Sequence, residues 1–251
     1  MNKKQISIII ATYNAGKTLK RCLDSIVSQL TDETELIIVD GDSKDNTNEI
    51  IDSYGDKITV HISEPDMGIY DAWNKGVKVA SGEWVMFVGA DDILLSNALN
   101  GYLEVMRTTP GIGSYDYICA HNEYVDTNDK LLKLLGEKPQ WRKMRCRMVA
   151  AHVASLHNKK NLFETIGGYD LDFKICADYE LLLRKKDKLR YLFIPIHIAR
   201  MKVGGMSFST KAIVETYKIR MLHHSLPVIM NELYFLRDWV AFKFFTFRKS
   251  V

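Results

Sequence analysis

Two adjacent carboxylates, Asp91 and Asp92, follow the short apolar run Trp84–Val88 and the dipeptide Gly89-Ala90. An apolar run this short fits a strand buried on both faces of a parallel sheet. Paired acids at its C-terminal end repel each other unless a cation or a set of donors holds them. That edge of a parallel sheet is also where α/β proteins place ligands. A strand delivering an acid pair there points to a divalent metal ion and a phosphate-bearing substrate. The plainer alternative is a helix N-cap, with Asp92 starting the helix that follows.

The same placement recurs along the chain. Thr12 and Tyr13 follow the run Ile6–Ala11, Asp40 follows Leu36–Val39, and Asp66 follows Ile58–Ile62. A nucleotide needs a ring to stack on, an acceptor for a base N–H, a ribose partner and a cation for its diphosphate. Tyr13 supplies the first, Asp40 the second, and the acid pair the other two. Each residue alone is explained by a turn or a cap; their shared position after successive strands is what joins them. A competing motif, Ala11-Thr12-Tyr13-Asn14-Ala15-Gly16-Lys17-Thr18, ends like a P-loop and lies between a strand and a helix. Ala11 replaces its first glycine, and Tyr13-Asn14 puts bulk where phosphate must meet bare backbone. A P-loop NTPase or kinase using Lys17 is kept as an alternative class, and it leaves Asp91-Asp92 without a role.

Positioning these residues takes strands alternating with helices. Leu19, Cys22, Leu23, Ile26, Val27 and Leu30 recur at helical spacing, as do Ile50, Ile51 and Tyr54, and then Ile69, Trp73, Gly76, Val77 and Ala80. The resulting βαβαβαβ order predicts an α/β fold with a doubly wound, mostly parallel sheet. Further on, Tyr115–Val125 and Lys130–Leu135 read as a hairpin across Asn128-Asp129. A short strand near His152–Leu156, a helix over Ala177–Lys188 and a strand at Tyr191–Ile194 follow. The last forty or so residues read as helices interrupted at Pro227. The expected organisation is a domain over 1–209, its halves 1–95 and 96–209, and a helical tail over 210–251.

Composition is that of an ordinary globular protein, 47% hydrophobic and 26% charged over 251 residues. Four scattered cysteines without a CxxC pair give neither a zinc site nor a disulfide framework, so a reducing cytoplasm is the expected compartment. Ile6–Ala11 is too short for the apolar core of a signal peptide. The net charge of +3 is uneven: residues 211–251 carry seven Lys/Arg against three Asp/Glu, so that segment alone is +4 and the rest −1. Lys138–Arg147 adds five basic residues and no acid. Local basicity of this kind suits phosphates or a membrane surface and argues against a nucleic-acid partner. Val228–Phe247 holds 14 apolar residues in 20, seven of them aromatic, together with Glu232, Arg237, Asp238 and Lys243. Four charges exclude a spanning helix. Two readings of 228–249 stay open: an interfacial helix on the cytoplasmic face of the inner membrane, or a helix packed on the domain or on a second subunit.

Several segments together resemble the family 2 glycosyltransferases of GT-A fold. They are Ile8-Ile9-Ile10-Ala11-Thr12-Tyr13-Asn14, Ile38-Val39-Asp40-Gly41-Asp42-Ser43, Glu64-Pro65-Asp66-Met67-Gly68-Ile69-Tyr70-Asp71-Ala72-Trp73-Asn74-Lys75-Gly76, and Gly82 through Asp92. The third is similar to a bacterial branch that builds surface polysaccharides, the colanic-acid type among them. The resemblance implies an inverting transfer from a nucleotide-diphospho-sugar, with UDP expected, to a glycan or lipid-linked glycan. It implies Mg²⁺ or Mn²⁺ at Asp92, ribose at Asp91, and donor contacts from Thr12, Tyr13, Asp40, Asp66 and Asn74. It implies a catalytic base at Asp178, in Cys176-Ala177-Asp178-Tyr179-Glu180, with Glu180 as substitute. A helix-start carboxylate is otherwise explained as a cap favoured by the helix dipole. Weaker candidates are His152 on the acceptor side and Gly205 and Ser207 in a loop closing over the diphosphate. Many members carry an acid where this chain has Gly89, so a module that binds the donor without transferring it is a further alternative.

Overall fold

The computed structural model describes residues 3–205 and 208–249. The N-terminal runs form the expected alternation: β1 (Ile6–Thr12), α1 (Leu19–Val27), β2 (Thr34–Asp40), α2 (Thr47–Asp52), β3 (Val60–Ser63), α3 (Ile69–Val79) and β4 (Trp84–Gly89). In space they lie in the order β3-β2-β1-β4, parallel throughout. Strands β1, β2 and β4 are buried on both faces because helices cover both, whereas the edge strand β3 exposes His61 and Ser63. Ile6, Ile8 and Ile10 share a core layer with Leu19, Leu23 and Ile26 of α1, while Ile9 shares the opposite layer with Trp73 and Val77 of α3. Burying each such side chain stabilises the fold by roughly 1.5–3 kcal/mol. Helix α3 lies so close to the sheet that a Cβ on Gly76 would stand 2.5 Å from Ile9 Cγ2.

The second half continues with β5 (Ile93–Leu94), α4 (Ala98–Thr108), β6 (Tyr117–Val125), β7 (Leu131–Leu135), α5 (Trp141–Met144), β8 (Leu156–Asn158), α6 (Ala177–Leu183), β9 (Tyr191–Lys202), α7 (Thr210–Leu222) and α8 (Val228–Lys249). It extends the same sheet as β4-β8-β6-β9-β5, with β7 on β6. Here the sheet becomes mixed: β8 runs antiparallel to β4 and β6, and β6 and β9 run parallel. The expected hairpin is β6–β7, turning through Asp129 at φ 62.

Three expectations are corrected. The short strand lies at Leu156–Asn158, beyond His152, because the Tyr117 hydroxyl and the Asn122 amide bind the carbonyls of Ala151 and Val153 and hold that stretch as a loop. The last strand extends eight residues past Ile194. Pro195 conceals this by interrupting the apolar run. It falls at the register shift between Cys119 and His121, where its missing N–H breaks no ladder. Helix α6 stops at Leu183, and a 3₁₀ turn covers Lys186–Lys188.

The C-terminal helices break at Pro227 as expected. Helix α7 is part of the framework: Glu215 accepts from the backbone N–H groups of Lys174, Ile175 and Cys176 at 2.9, 2.9 and 2.8 Å, satisfying the start of α6. Arg220, fully buried, donates to Asn231 Oδ1 of α8 at 2.6 Å and to the Cys146 carbonyl at 2.7 Å. No described helix is long and apolar enough to cross a membrane.

Candidate active site

The parallel strands end in one row. Thr12, Asp40 and Ser63 are cross-strand partners at the last rung of β1, β2 and β3. Asp40 sits fully buried beneath the edge and is saturated. Thr12 Oγ1 (2.8 Å) and Ser43 Oγ (2.5 Å) donate to Oδ1, and the Ser43 N–H (2.8 Å) and Ser63 Oγ (3.0 Å) donate to Oδ2. Burial raises this carboxyl, but the donors Ser43, Thr12 and Ser63 outweigh it and hold the pKa below the ordinary value. The sequence offers Asp40 to a base N–H; in the folded chain its oxygens organise the rim. Above it a cleft of about 610 Å³ is lined by Thr12, Tyr13, Gly41, Asp42, Asp66 and Ile69, among others. Tyr13 projects into solvent at 67% exposure. Asp66 accepts from the Gly68 N–H at 2.8 Å. A Cβ on Gly41 would meet Asp66 Oδ2 at 2.6 Å, so a bare backbone there admits that carboxylate to the cleft.

The P-loop reading fails in this loop. The backbone N–H groups of Asn14, Ala15 and Gly16 are the ones that would have to cradle a phosphate. They donate instead to Ser43 Oγ, Thr47 Oγ1 and Asp45 Oδ2, at 2.8, 2.8 and 3.0 Å. The loop receives an anion, and that anion is the chain's own Asp45.

Asp91 and Asp92 stand at the end of β4, next to β1 in the sheet. Asp91 is exposed, while Asp92 is only 6% exposed. Burial and the neighbouring Asp91 push the Asp92 carboxyl up to about 8, opposed only by the Gly89 N–H donating at 3.2 Å. A Cβ on Gly89 would lie 2.7 Å from Asp92 Oδ2 and 3.0 Å from Asp91 Oδ1. The missing side chain thus leaves a point onto which both carboxylates converge. Among the described residues no group of three His, Cys, Asp or Glu side chains gathers to cage a metal.

A second cavity of about 610 Å³ adjoins the cleft, with Ile69 in both walls. Asp178, in the first turn of α6, lines it with Tyr70, Trp73, Lys133, His152 and Lys174. The Tyr70 hydroxyl lies 3.0 Å from Asp178 Oδ1 and 2.7 Å from the Ile175 carbonyl, with one proton for the two. Burial pushes the Asp178 carboxyl up to about 6, although the Tyr179 N–H and Tyr70 pull the other way. His152 is packed among the rings of Trp73, Phe87, His157 and Tyr169, and burial lowers its pKa to about 3, so it is a neutral imidazole.

Other expected site residues are occupied elsewhere. Both ends of the Asn74 amide bind the backbone of Tyr169, at 2.9 and 2.8 Å, which fastens α3 to the segment leading to α6 and takes Asn74 away from a donor. Glu180 is corrected as a substitute base: it is buried and held by Arg184 and by His223 Nε2 at 2.8 Å, and those partners outweigh burial and lower its pKa. The basic loop is engaged too, with Lys143 and Arg147 on Glu137 and Arg145 on the Ser225 carbonyl. Gly205 follows the left-handed Gly204 after β9, outside both cavities; Ser207 lies outside the described residues. Residues that sequence reasoning left without a role are Tyr70, Lys133 and Lys174. Tyr70 lay inside a quoted segment, but its partner is 108 positions away.

Residues 7–161 match the glycosyl transferase family 2 profile. A PGL/p-HBAD biosynthesis glycosyltransferase of Mycobacterium tuberculosis is 32% identical over 191 residues, covering 73% of this chain and 70% of that protein. Staphylococcus aureus TarS 1–349, solved with UDP-GlcNAc, superposes with TM-score 0.69 at 17% identity, over 94% of this chain and 71% of that one. Mannosyltransferase PcManGT of Pyrobaculum calidifontis, solved with GDP-Man and Mn²⁺, gives TM-score 0.65 at 14% identity, over 96% and 75%. At such identities these two share the fold.

Proposed function

This chain belongs to glycosyl transferase family 2 and is a glycosyltransferase, and from that premise we propose an inverting transfer of one sugar from a UDP-sugar to a hydroxyl of a glycan or lipid-linked glycan in surface-polysaccharide assembly. The carrying observation is Asp178, set in a cavity that adjoins the cleft and with its pKa raised to about 6. A carboxylate of that basicity suits a general base near neutral pH. It takes the proton of the acceptor hydroxyl as that oxygen bonds to the anomeric carbon, while the bond to the diphosphate breaks on the opposite face. That geometry inverts the carbon.

Residues 1–95 hold the donor in this reading, and 96–209 the acceptor. Tyr13 stacks on the base, Asp66 and Asp91 take the sugar and ribose hydroxyls, and Asp40 keeps the rim in shape. Asp92 fits a divalent ion, Mg²⁺ or Mn²⁺, because it is a buried carboxyl with a like-charged neighbour and one backbone donor. Ions of this kind are held by one or two carboxylates with substrate phosphates completing the shell, so no protein cage is needed. When bound, the ion would supply Lewis-acid neutralisation of the leaving diphosphate. The two neighbours solved with UDP-GlcNAc and with GDP-Man and Mn²⁺ support a nucleotide-sugar donor and a divalent ion.

The test is a thermal-shift series with UDP-GlcNAc, GDP-Man and ATP, with and without Mn²⁺, followed by assay of donor hydrolysis. Stabilisation by a nucleotide-sugar that requires Mn²⁺ and disappears in Asp92→Asn is expected. Stabilisation by ATP alone would return the kinase reading. Donor binding with neither hydrolysis nor transfer would reduce the protein to a binding module.

A further inference from the structure

Helix α8 has one face covered by α7 and an opposite, apolar face left open. Asn231, Phe235 and Asp238 turn toward α7, where the buried Arg220–Asn231 hydrogen bond fixes the helix's rotation. The opposite face carries Ile229, Leu233, Leu236 and Val240, exposed at 76%, 62%, 59% and 57%. Large apolar side chains grouped on a surface mark an interaction site.

Three observations decide what covers this face. The four residues recur at spacings of four, three and four, the alternation of a coiled-coil seam. At about 100° per residue these four span an arc of about 60°; Val228, Met230 and Phe244, exposed at 58%, 45% and 61%, lie outside it toward the two ends of the helix. Charge on both borders of the central stripe interrupts the broad apolar half-cylinder that an interfacial helix needs and suits the ridge of a second helix. The flanks are charged and opposite: Glu232 borders one side of the stripe and Arg237 the other, both exposed. With Ile229 and Leu236 at d, and Leu233 and Val240 at a, Glu232 is a g residue and Arg237 the e residue five positions later. In a parallel pair the g residue of one helix meets that e residue of its mate. In an antiparallel pair Glu232 would meet Glu232 and Arg237 would meet Arg237.

We infer that α8 is a self-association helix, pairing in parallel with α8 of a second copy of this chain along Ile229, Leu233, Leu236 and Val240. Each copy keeps α7 on its other face, so the two domains lie on opposite sides of the seam. The Tyr217 hydroxyl, donating to Glu232 Oε1 at 2.6 Å, steadies one flank, and Asp238 binds Arg237 Nη2 at 2.7 Å on the other.

Sedimentation velocity of the full chain over a micromolar concentration series tests this. The chain is expected to pass from monomer to dimer. Leu233→Glu with Leu236→Glu should weaken that association about 100-fold or more, with an unchanged far-UV spectrum. Glu232→Arg alone should weaken it roughly tenfold, and adding Arg237→Glu should restore it; in an antiparallel pair the single exchange would replace one like-charge contact by another and change nothing. Should the leucine variant not fold, Leu236→Cys treated with copper phenanthroline should give a disulfide-linked dimer that the wild-type chain does not give. A monomer at every concentration, a dimer indifferent to both leucines, or no Leu236→Cys cross-link would overturn the inference. So would a monomeric wild-type chain that floats with phosphatidylglycerol vesicles through these leucines, since that outcome makes the stripe a lipid-facing surface.

Discussion

The cleft at the end of the parallel strands and the cavity around Asp178 are neighbours built in opposite ways. The cleft comes from consecutive strand ends of β1, β2 and β3, and its polar groups satisfy one another across adjacent strands, as Thr12, Ser43 and Ser63 do around Asp40. The cavity takes its walls from α3, β7, the loop before β8, and α6. Its key carboxyl depends on Tyr70, 108 residues away, and on the α7 residue Glu215, which satisfies the start of its helix. The acids differ accordingly. Asp40 is saturated with donors and stays ionised, whereas the half-buried Asp178 and the buried Asp92 have few donors and are raised, to about 6 and about 8. Locally satisfied acids hold shape, and sparsely satisfied ones are left for a substrate or an ion.

Substitutions can break this contrast. The largest effect is expected for Asp178→Asn, with transfer falling roughly 10²–10⁴-fold and donor binding unchanged. In the wild-type enzyme kcat/KM should rise with pH and level off above about 6; that ionisation should vanish in the variant. The stability effect has the opposite sign. The folded pKa lies above the ordinary 3.8, so the stability Asp178 contributes is complete below that value and lost as pH rises through about 6. Asp178→Asn should therefore raise Tm at pH 7, by about 1–3 kcal/mol of stability, and not at pH 3. A variant with full activity on its acceptor would remove Asp178 as the base.

Glu180→Gln comes next and separates two acids of the same helix. It should lower stability by about 2–3 kcal/mol in urea melts, since Arg184 and His223 lose a buried charged partner. Folded Glu180→Gln enzyme should keep its kcat; a collapse of kcat without loss of stability would reverse the assignments of Glu180 and Asp178.

Gly89→Ala sharpens the view of the acid pair. The new Cβ meets only the tips of two aspartates, which can swing aside, so Tm should hold. Titration calorimetry should show Mn²⁺-dependent donor binding weakened about 10–100-fold. Unchanged binding would mean that the carboxylates do not converge there to hold an ion. The smallest effect belongs to Lys17→Ala: donor binding and stability should stay within about 0.5 kcal/mol of wild type. A loss of nucleotide affinity would reinstate the P-loop.

The cleft was legible in the sequence because a parallel βα repeat puts every strand's C-terminal end on one edge. Any polar residue just past an apolar run lands there, whatever the rest of the chain does. Thr12, Tyr13, Asp40, Asp66, Asp91 and Asp92 could thus be collected from spacing alone. Their hydrogen-bond state could not, and Asp40 proved to lie beneath the rim. Asn74 misled for a related reason: its place in a helical segment is visible, but Tyr169, which takes both ends of its amide, is 95 positions off.

The sequence by itself determined the alternation of strands and helices, the row of strand ends and the break at Pro227, since each follows from local periodicity and local backbone chemistry. Only the tertiary structure decided which of Asp178 and Glu180 faces a cavity. Helix α6 is buried on nearly every side, through Ala177, Tyr179, Leu181, Leu182 and Leu183. It therefore carries no amphipathic pattern to say which way either acid faces. Two positions apart on a helix means about 200° of rotation, and packing against α3 and α7 alone turned one acid toward a cavity and the other toward an arginine.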